Sequence, residues 1–445
     1  MRTIVGKILL GTIFLAASAW GDLPAITIQD SVRTALDRNP DVLKAREAVQ
    51  QSQANVSLAI SKVFPTIDGQ LKASWLKASS ASSSPLFGGK PYNQYLAALN
   101  LDQPVYDGAI FSGYSYSKKD VQIKQYKESI AERDLSQKVL ENFYSVLLHE
   151  RLLGILQEAL KVDNETLKIA ERWLSTGRAQ KVDVLQLRTQ AALRLPKIAE
   201  TENKMRISAA ELATLLRNLD AGSIRIRGAL VTPEASWVKK NVQQKKQDLP
   251  EMLQAKELVN QFEDNREVQM AKYWPSLGVL GNLQRQAYTK RELIDANTTS
   301  WSVALVLDVP LFAGLSSFHQ RASLAAEQRQ LELDETHTAD TVSVNQIQAE
   351  KDFAVALTQL DSARKAAEFG RQTIQEAQRQ YRFQTINYLQ YQSSQQAFLD
   401  SQTGYFQAKY NYIVSLSKYF NAMGVPSEVL IAKLDELSRQ QGAGD

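Results

Sequence analysis

The chain has 445 residues with 52 Lys and Arg against 48 Asp and Glu, and its net charge of +4 is too slight to recruit nucleic acid or an acidic substrate by bulk charge. Gly and Pro make up about 7 % of it where roughly 12 % is ordinary, so helix breakers are scarce. A mean hydropathy of -0.30 excludes a bundle of membrane-spanning helices, and the lack of cysteine excludes disulfides, thiolate metal sites and thiol nucleophiles.

Residues 1–21 carry Arg2 and Lys7, an apolar run from Ile8 to Ala17, and small residues at Ala17 and Ala19. This is the pattern of a cleavable export signal, and the run is too short to span a bilayer. A mature chain outside the cytoplasm is expected. From there the prolines mark a twofold repeat with a period of about 210 residues. Pro40-Asp41-Val42-Leu43-Lys44-Ala45 matches Pro250-Glu251-Met252-Leu253-Gln254-Ala255, and Phe64-Pro65-Thr66 matches Trp274-Pro275-Ser276. Leu101-Asp102-Gln103-Pro104-Val105-Tyr106-Asp107-Gly108 matches Leu307-Asp308-Val309-Pro310-Leu311-Phe312-Ala313-Gly314. The first copy spans residues 22–218 and the second 249–424, with a connecting segment at 219–248 and a C-terminal segment at 425–445 whose polar tail, Ser438 to Asp445, is expected to be loose.

Each copy opens with a helical pattern, Asp41 to Val63 and Glu251 to Tyr273. The period then changes to two. Ile67, Leu71, Ala73 and Trp75 alternate with Thr66, Asp68, Gln70, Lys72 and Ser74, and Trp301, Val303, Leu305, Leu307, Val309 and Leu311 share one face with Ser300, Ser302 and Asp308 on the other. Four strands are expected, at about 66–76, 94–106, 276–287 and 300–311. Their length suits a tilted bilayer-crossing strand with one wet face, although a half-buried soluble sheet alternates in the same way. Phe64, Tyr106, Trp274 and Phe312 fall at one end of the strands, and Trp75, Tyr95, Tyr288 and Trp301 at the other, where interfacial aromatic girdles would lie. The segments 77–93, Ser-rich, and 287–299 are expected as exposed loops.

Long helices follow each strand pair. Ala349, Phe353, Ala356, Leu360, Ala363 and Ala367 step by four and three, a close-packed seam in a helix of about 100 Å. The helical pattern breaks once per copy, at Leu174 to Gln180 and at Arg382 to Asn387, and these breaks are expected as the tips of helical hairpins. Pro196 should kink the first return helix. The connecting segment, with its two Lys pairs, reads as a solvated linker holding a small strand and a short helix. His149, His319 and His337 are expected as exposed helix residues. His149-Glu150-Arg151-Leu152-Leu153 lacks the second histidine of a zinc motif, and no nucleophile, phosphate loop, metal or cofactor site is expected.

The order of these features resembles the TolC-like outer membrane efflux family over essentially the whole mature chain. Ile26-Thr27-Ile28-Gln29-Asp30-Ser31, Ala35 to Pro40, the two Pro-Gly strand exits, Gly177 followed by Val182-Asp183-Val184-Leu185, and Leu416 to Gly424 carry the resemblance. It implies a mainly α fold with four strands per chain, shared by a homotrimer as one twelve-stranded barrel above a helical tunnel through the periplasm. It also implies partners: outer-membrane lipid, a periplasmic adaptor, and an inner-membrane pump or ATP-driven exporter, with no nucleic acid and no enzymatic step. By the same resemblance, Thr176, Gly177, Arg178, Gln384 and Thr385 would dock the adaptor. The entrance would be ringed by Gln390 and Ser393, where the family often has aspartates, with Asp183 able to close it by pairing with Arg382 or to be a plain solvated carboxylate. A soluble periplasmic coiled-coil scaffold, needing no lipid-facing strands, is the alternative.

Overall fold

Local capping sets the first helices. Thr27 Oγ1 accepts from the Asp30 amide and the Asp30 carboxylate accepts from the Thr27 amide, a capping box that starts α1 (Ile28–Arg38). The Asn39 side chain then accepts from the Asp41 amide, and Pro40, needing no N–H in the first turn, opens α2 (Pro40–Ser61). The chain continues through β1 (Thr66–Leu76), β2 (Tyr92–Tyr106), α3 (Gly108–Ser175), α4 (Lys181–Leu215) and α5 (Ala235–Lys245). The second copy follows as α6 (Pro250–Ala271), β3 (Ser276–Ala287), β4 (Thr299–Asp308), α7 (Ser316–Arg382) and α8 (Tyr388–Ala422), with α9 (Ser427–Gly442) last. This computed structural model describes residues 26–77, 91–217, 225–245, 248–289, 291–292 and 299–442. The expected export signal and most of both strand-connecting loops lie outside them.

The repeat recurs in the element lengths: 22 residues in both α2 and α6, 68 and 67 in α3 and α7, 35 in both α4 and α8. At 1.5 Å per residue α3 and α7 each extend about 100 Å. The strands form one antiparallel sheet in the order β1-β2-β3-β4, so among the described residues β1 and β4 are both free edges. The helices of the two copies lie in the parallel order α2, α3, α6, α7, with α4 against α3 and α8 against α7. The main core sits where α1, α5 and α9 wrap α3, α4 and α8; Phe143, Tyr144, Tyr412, Leu416 and Phe420 are each at most 1 % exposed there, and the Tyr412 hydroxyl donates to the Pro233 carbonyl at 2.7 Å.

Several expectations change. β4 ends at Asp308 rather than near residue 311, because Pro310 has no N–H for the ladder and the chain turns into α7 through Gly314 and Leu315, both at positive φ. The small strand of the connecting segment is a single parallel bridge, Ile26 to Ile226, beside the short helix α5. The tail is not loose from residue 438: α9 runs to Gly442, and the Ser438 hydroxyl accepts from the Ala229 amide at 3.0 Å. Pro196 lies inside a single helix, α4. His149 is half-buried rather than exposed, whereas His319 and His337 are exposed.

Candidate functional site: the strand faces and the hairpin tips

Cross-strand partners share a face, so the register sorts the sheet into two surfaces. On one, Ile67, Leu101, Gly281 and Val303 form a row, and Gly69, Leu99, Leu283 and Trp301 the next. On the other, Asp68, Asn100, Asn282 and Ser302 align, and the Asn282 amide donates to Asn100 Oδ1 at 2.7 Å. In these rows an apolar face and a polar face extend across all four strands. Leu71, Trp75, Trp301 and Leu305 are 70 % or more exposed on the apolar side.

The bulge at the end of β2 refines this. Alternation alone would put Tyr106 with the polar set, but the register slips between Pro104 and Tyr106 and pairs Tyr106 with Leu277 on the apolar face. One extra residue re-aims the side chain. Of the other aromatics, Phe64, Trp274 and Phe312 flank the strands on the helix side, all more than half exposed, while Tyr95 is half-buried and Tyr288 lies just past β3. Trp301 falls in the row of Gly69, six residues out of register with Trp75 on β1. Such a stagger is what equal height requires when strands tilt across a bilayer.

At the opposite end of the molecule the two hairpin tips repeat each other bond for bond. The Gly177 amide donates to the Leu174 carbonyl and the Arg178 amide to that of Trp173; the Gln384 amide donates to Tyr381 and that of Thr385 to Gln380. Both are helix C-caps closed by a left-handed residue, Gly177 at φ 71° and Gln384 at φ 58°. Both return helices start with a capping box, Gln180 with Asp183 and Asn387 with Gln390. Asp183 is therefore engaged by the Gln180 amide at 3.4 Å, and among the described residues it forms no ion pair with Arg382. Thr176, Arg178, Arg382, Thr385, Gln390 and Ser393 are all exposed around these tips.

Just above the tips lies a cluster that sequence reasoning missed. Trp173 packs on Tyr381 at 5.5 Å, and Tyr381 stacks on Tyr391 at 4.8 Å, so the two hairpins meet through aromatic rings. Burial, reinforced by the Asp183 charge, raises the Tyr381 phenol to about 12, and burial raises that of Tyr388 as well, so both remain neutral donors. Deeper still, Arg194 Nε of α4 is bonded to the Asp163 carboxylate of α3, and Gln395 of α8 donates to the other carboxylate oxygen at 2.7 Å. The two charged side chains are 4 % and 1 % exposed, and Arg194 Nη2 has no partner among the described residues. One signal was readable: Arg194 lies seven residues past the buried Leu187, and Asp163 seven before the buried Ala170, so both charges occupy helical seams.

Among the described residues no group of histidines and carboxylates is placed to hold a metal, and no helix is long and apolar enough to cross a membrane. Comparison with known proteins gives a family match, described as outer membrane efflux protein, over residues 32–217 and 241–423. The alkaline protease secretion protein AprF of Pseudomonas aeruginosa is 20 % identical over 425 residues, 92 % of this chain and 86 % of that protein. Among solved structures, the Campylobacter jejuni outer membrane channel CmeC superposes with a TM-score of 0.79 at 17 % identity, over 92 % of this chain and 89 % of its own. The outer membrane protein VceC of Vibrio cholerae gives 0.77 at 15 % identity, over 89 % and 96 %. The match covers both repeats, and the chain belongs to the outer membrane efflux protein family: it is an outer-membrane channel-tunnel of efflux or secretion.

Proposed function

We propose that three copies of this chain close one twelve-stranded barrel and continue it as a periplasmic helical tunnel. The observation that carries this is the pair of unfinished edges. Among the described residues β1 and β4 both lack a partner on one side, and four strands cannot close a barrel, for which eight is about the minimum. The helical layer is unfinished at the same flank. Leu333, Val344 and Val355 recur every eleven residues along α7 with Ile347 and Phe369 on the same face, and all five are more than half exposed. A neighbouring α2, with Leu43 and Leu58 exposed, would cover this stripe. The expected result is a detergent-extracted trimer that separates into monomers only on heating. Release by osmotic shock as a monomer would overturn the reading.

In this assembly the eight strand-end aromatics mark the two membrane interfaces, and the tips form the periplasmic entrance. Thr176, Gly177, Arg178, Gln384 and Thr385 are the docking surface for a periplasmic adaptor that couples the duct to an inner-membrane pump or ATP-driven exporter. Photo-crosslinkers placed there should capture the adaptor, and those on the barrel should not. Asp183 supplies one carboxylate per chain near the entrance, and Asp183→Ala should raise single-channel conductance in planar bilayers; unchanged conductance removes it from the gate. Small molecules and polypeptides both suit such a duct. The likeness to a protease secretion protein favours polypeptide cargo, so a deletion strain should lose a secreted protein before it gains drug sensitivity.

A further inference from the structure

Directly below the inner ends of the strands, α3, α6 and α7 enclose a cleft of about 750 Å³. Its upper wall is Tyr106 and Trp274, its floor Phe111 and Met270, and its lower rim Arg266 and Arg321. We propose that this cleft binds one anionic phospholipid of the inner leaflet of the outer membrane, its phosphate between the two guanidinium groups and an acyl chain against Phe111 and Trp274.

Four observations converge on this occupant. The cleft takes part of its wall from the apolar face, because the bulge in β2 turns Tyr106 onto that face with Leu277. It is continuous with the strand ends, since Tyr106 closes β2 and Trp274 lies two residues before β3. Its apolar lining is uncovered among the described residues, with Phe111 65 % and Trp274 57 % exposed. The rim is cationic and available. Arg321 has no ion-pair partner among the described residues, and Arg266 has only a 3.4 Å bond to Gln328. The single acid, Glu267, accepts a hydrogen bond from Ser112 at 2.7 Å.

Helix direction makes the two arginines unequal. Side chains tilt toward the helix N-terminus, so Arg321, in the first turns of α7 leaving the barrel, leans back toward the membrane. Arg266, about one and a half turns before the end of α6, leans away and closes the bottom of the site. Arg321 should hold the phosphate and Arg266 should assist; arginine suits this work because its planar donors match phosphate oxygens in pairs.

Native mass spectrometry of the full-length protein, titrated with phosphatidylglycerol and with phosphatidylcholine, tests the assignment. One retained phosphatidylglycerol per chain is expected, with Arg321→Gln weakening retention at least fivefold and Arg266→Gln less. Equal retention of the two lipids would mark ordinary annular lipid and overturn the site. So would displacement by millimolar inorganic phosphate, which would mark an anion site with no acyl component. Both arginines are exposed, so neither substitution threatens folding, and Trp274→Ala gives an independent reading on the acyl wall: unchanged retention there also counts against the proposal. Because stoichiometry is read per chain, the outcome is separable from whether three chains associate.

Discussion

The helices α3 and α7 have the same length and the same place in their repeats, yet they live in different surroundings. α3 packs against α1, α2, α4, α6, α8 and α9, and its middle, from Leu135 to Leu148, is almost continuously buried on one side. α7 packs mainly on α8 and α6 and buries small residues there, Ala349, Ala356, Ala367 and Ala377 among them. Its other side carries the exposed apolar stripe, whereas α3 leaves only Phe111 and Tyr116 as large exposed apolar residues. A duplicated unit has thus been specialised: one copy supplies a hub inside the chain, the other an edge that only another chain can cover. Eleven-residue spacing keeps such a stripe on one face of a nearly straight helix, which suits a long tunnel wall better than a strongly coiled heptad.

The sharpest way to break this comparison is to charge the edge and leave the hub alone. Each Val or Ile removed from a buried interface forfeits about 1.5–3 kcal/mol, and a carboxylate left there adds its desolvation. Val344→Asp with Val355→Asp should abolish the heat-modifiable trimer while leaving the chain helical, as read by gel migration and circular dichroism. A trimer that survives both changes would show that α7 is not the edge.

The next effect belongs to the hub side. Arg194→Ala leaves Asp163 buried and unpaired, and breaking a buried pair in this way costs about 3–5 kcal/mol. The same change at Arg188, whose pair with Glu171 is exposed, should cost less than about 1 kcal/mol. Hydrogen exchange along α3 and α4 distinguishes them: Arg194→Ala should expose amides around Asp163 and release α8 at Gln395, and Arg188→Ala should not.

The two regions also differ in how far the sequence disclosed them. The repeat, the four strands and both hairpins follow from proline positions and from a change of period between two and about three and a half, which are local and repeated signals. What escaped was set by pairing between distant segments. Nothing in Leu101 to Gly108 announces that the register slips at Pro104, since a bulge is defined by the partner strand. The stripe on α7 was present in the sequence, but scattered apolar residues on a helix acquire meaning only when the rest of that face is known to be empty. Asp183, expected either to close the entrance with Arg382 or to be a plain solvated carboxylate, also accepts from the Gln180 amide three residues before it, a bond that the gate expectation does not consider. Arg194 and Asp163 looked like two more charges among many until the fold closed over them.

The tips allow a smaller and cleaner comparison, because one backbone geometry carries two different residues. At Gly177 a Cβ would meet nothing within 4 Å, so the only cost of Gly177→Ala is the left-handed φ of 71°, about 1 kcal/mol. Gln384 already bears that cost at φ 58°, and Gln384→Gly should recover up to about 1 kcal/mol. Opposite signs in thermal unfolding are expected. Equal signs would mean that Gln384 makes a compensating contact at the entrance, and adaptor capture should then fall with Gln384→Gly.

The smallest effect concerns acid. His319 and His337 on the edge helix are exposed, whereas His149 on the hub is half-buried between α3 and α4. Burial lowers its proton affinity most, a hydrogen bond at Ser145 opposes that, and the Lys204 charge lowers it further. A base that binds its proton less readily folded than unfolded stabilises the fold while neutral. As pH drops below its ordinary value of 6.5, the unfolded chain takes up the proton first, and stability declines until the folded form is protonated as well. The trimer should therefore lose stability between neutral pH and mild acid, and His149→Gln, which cannot titrate, should flatten that part of the profile. If the slope persists in His149→Gln, the acid sensitivity lies in carboxylates elsewhere, and the hub owes none of it to this histidine.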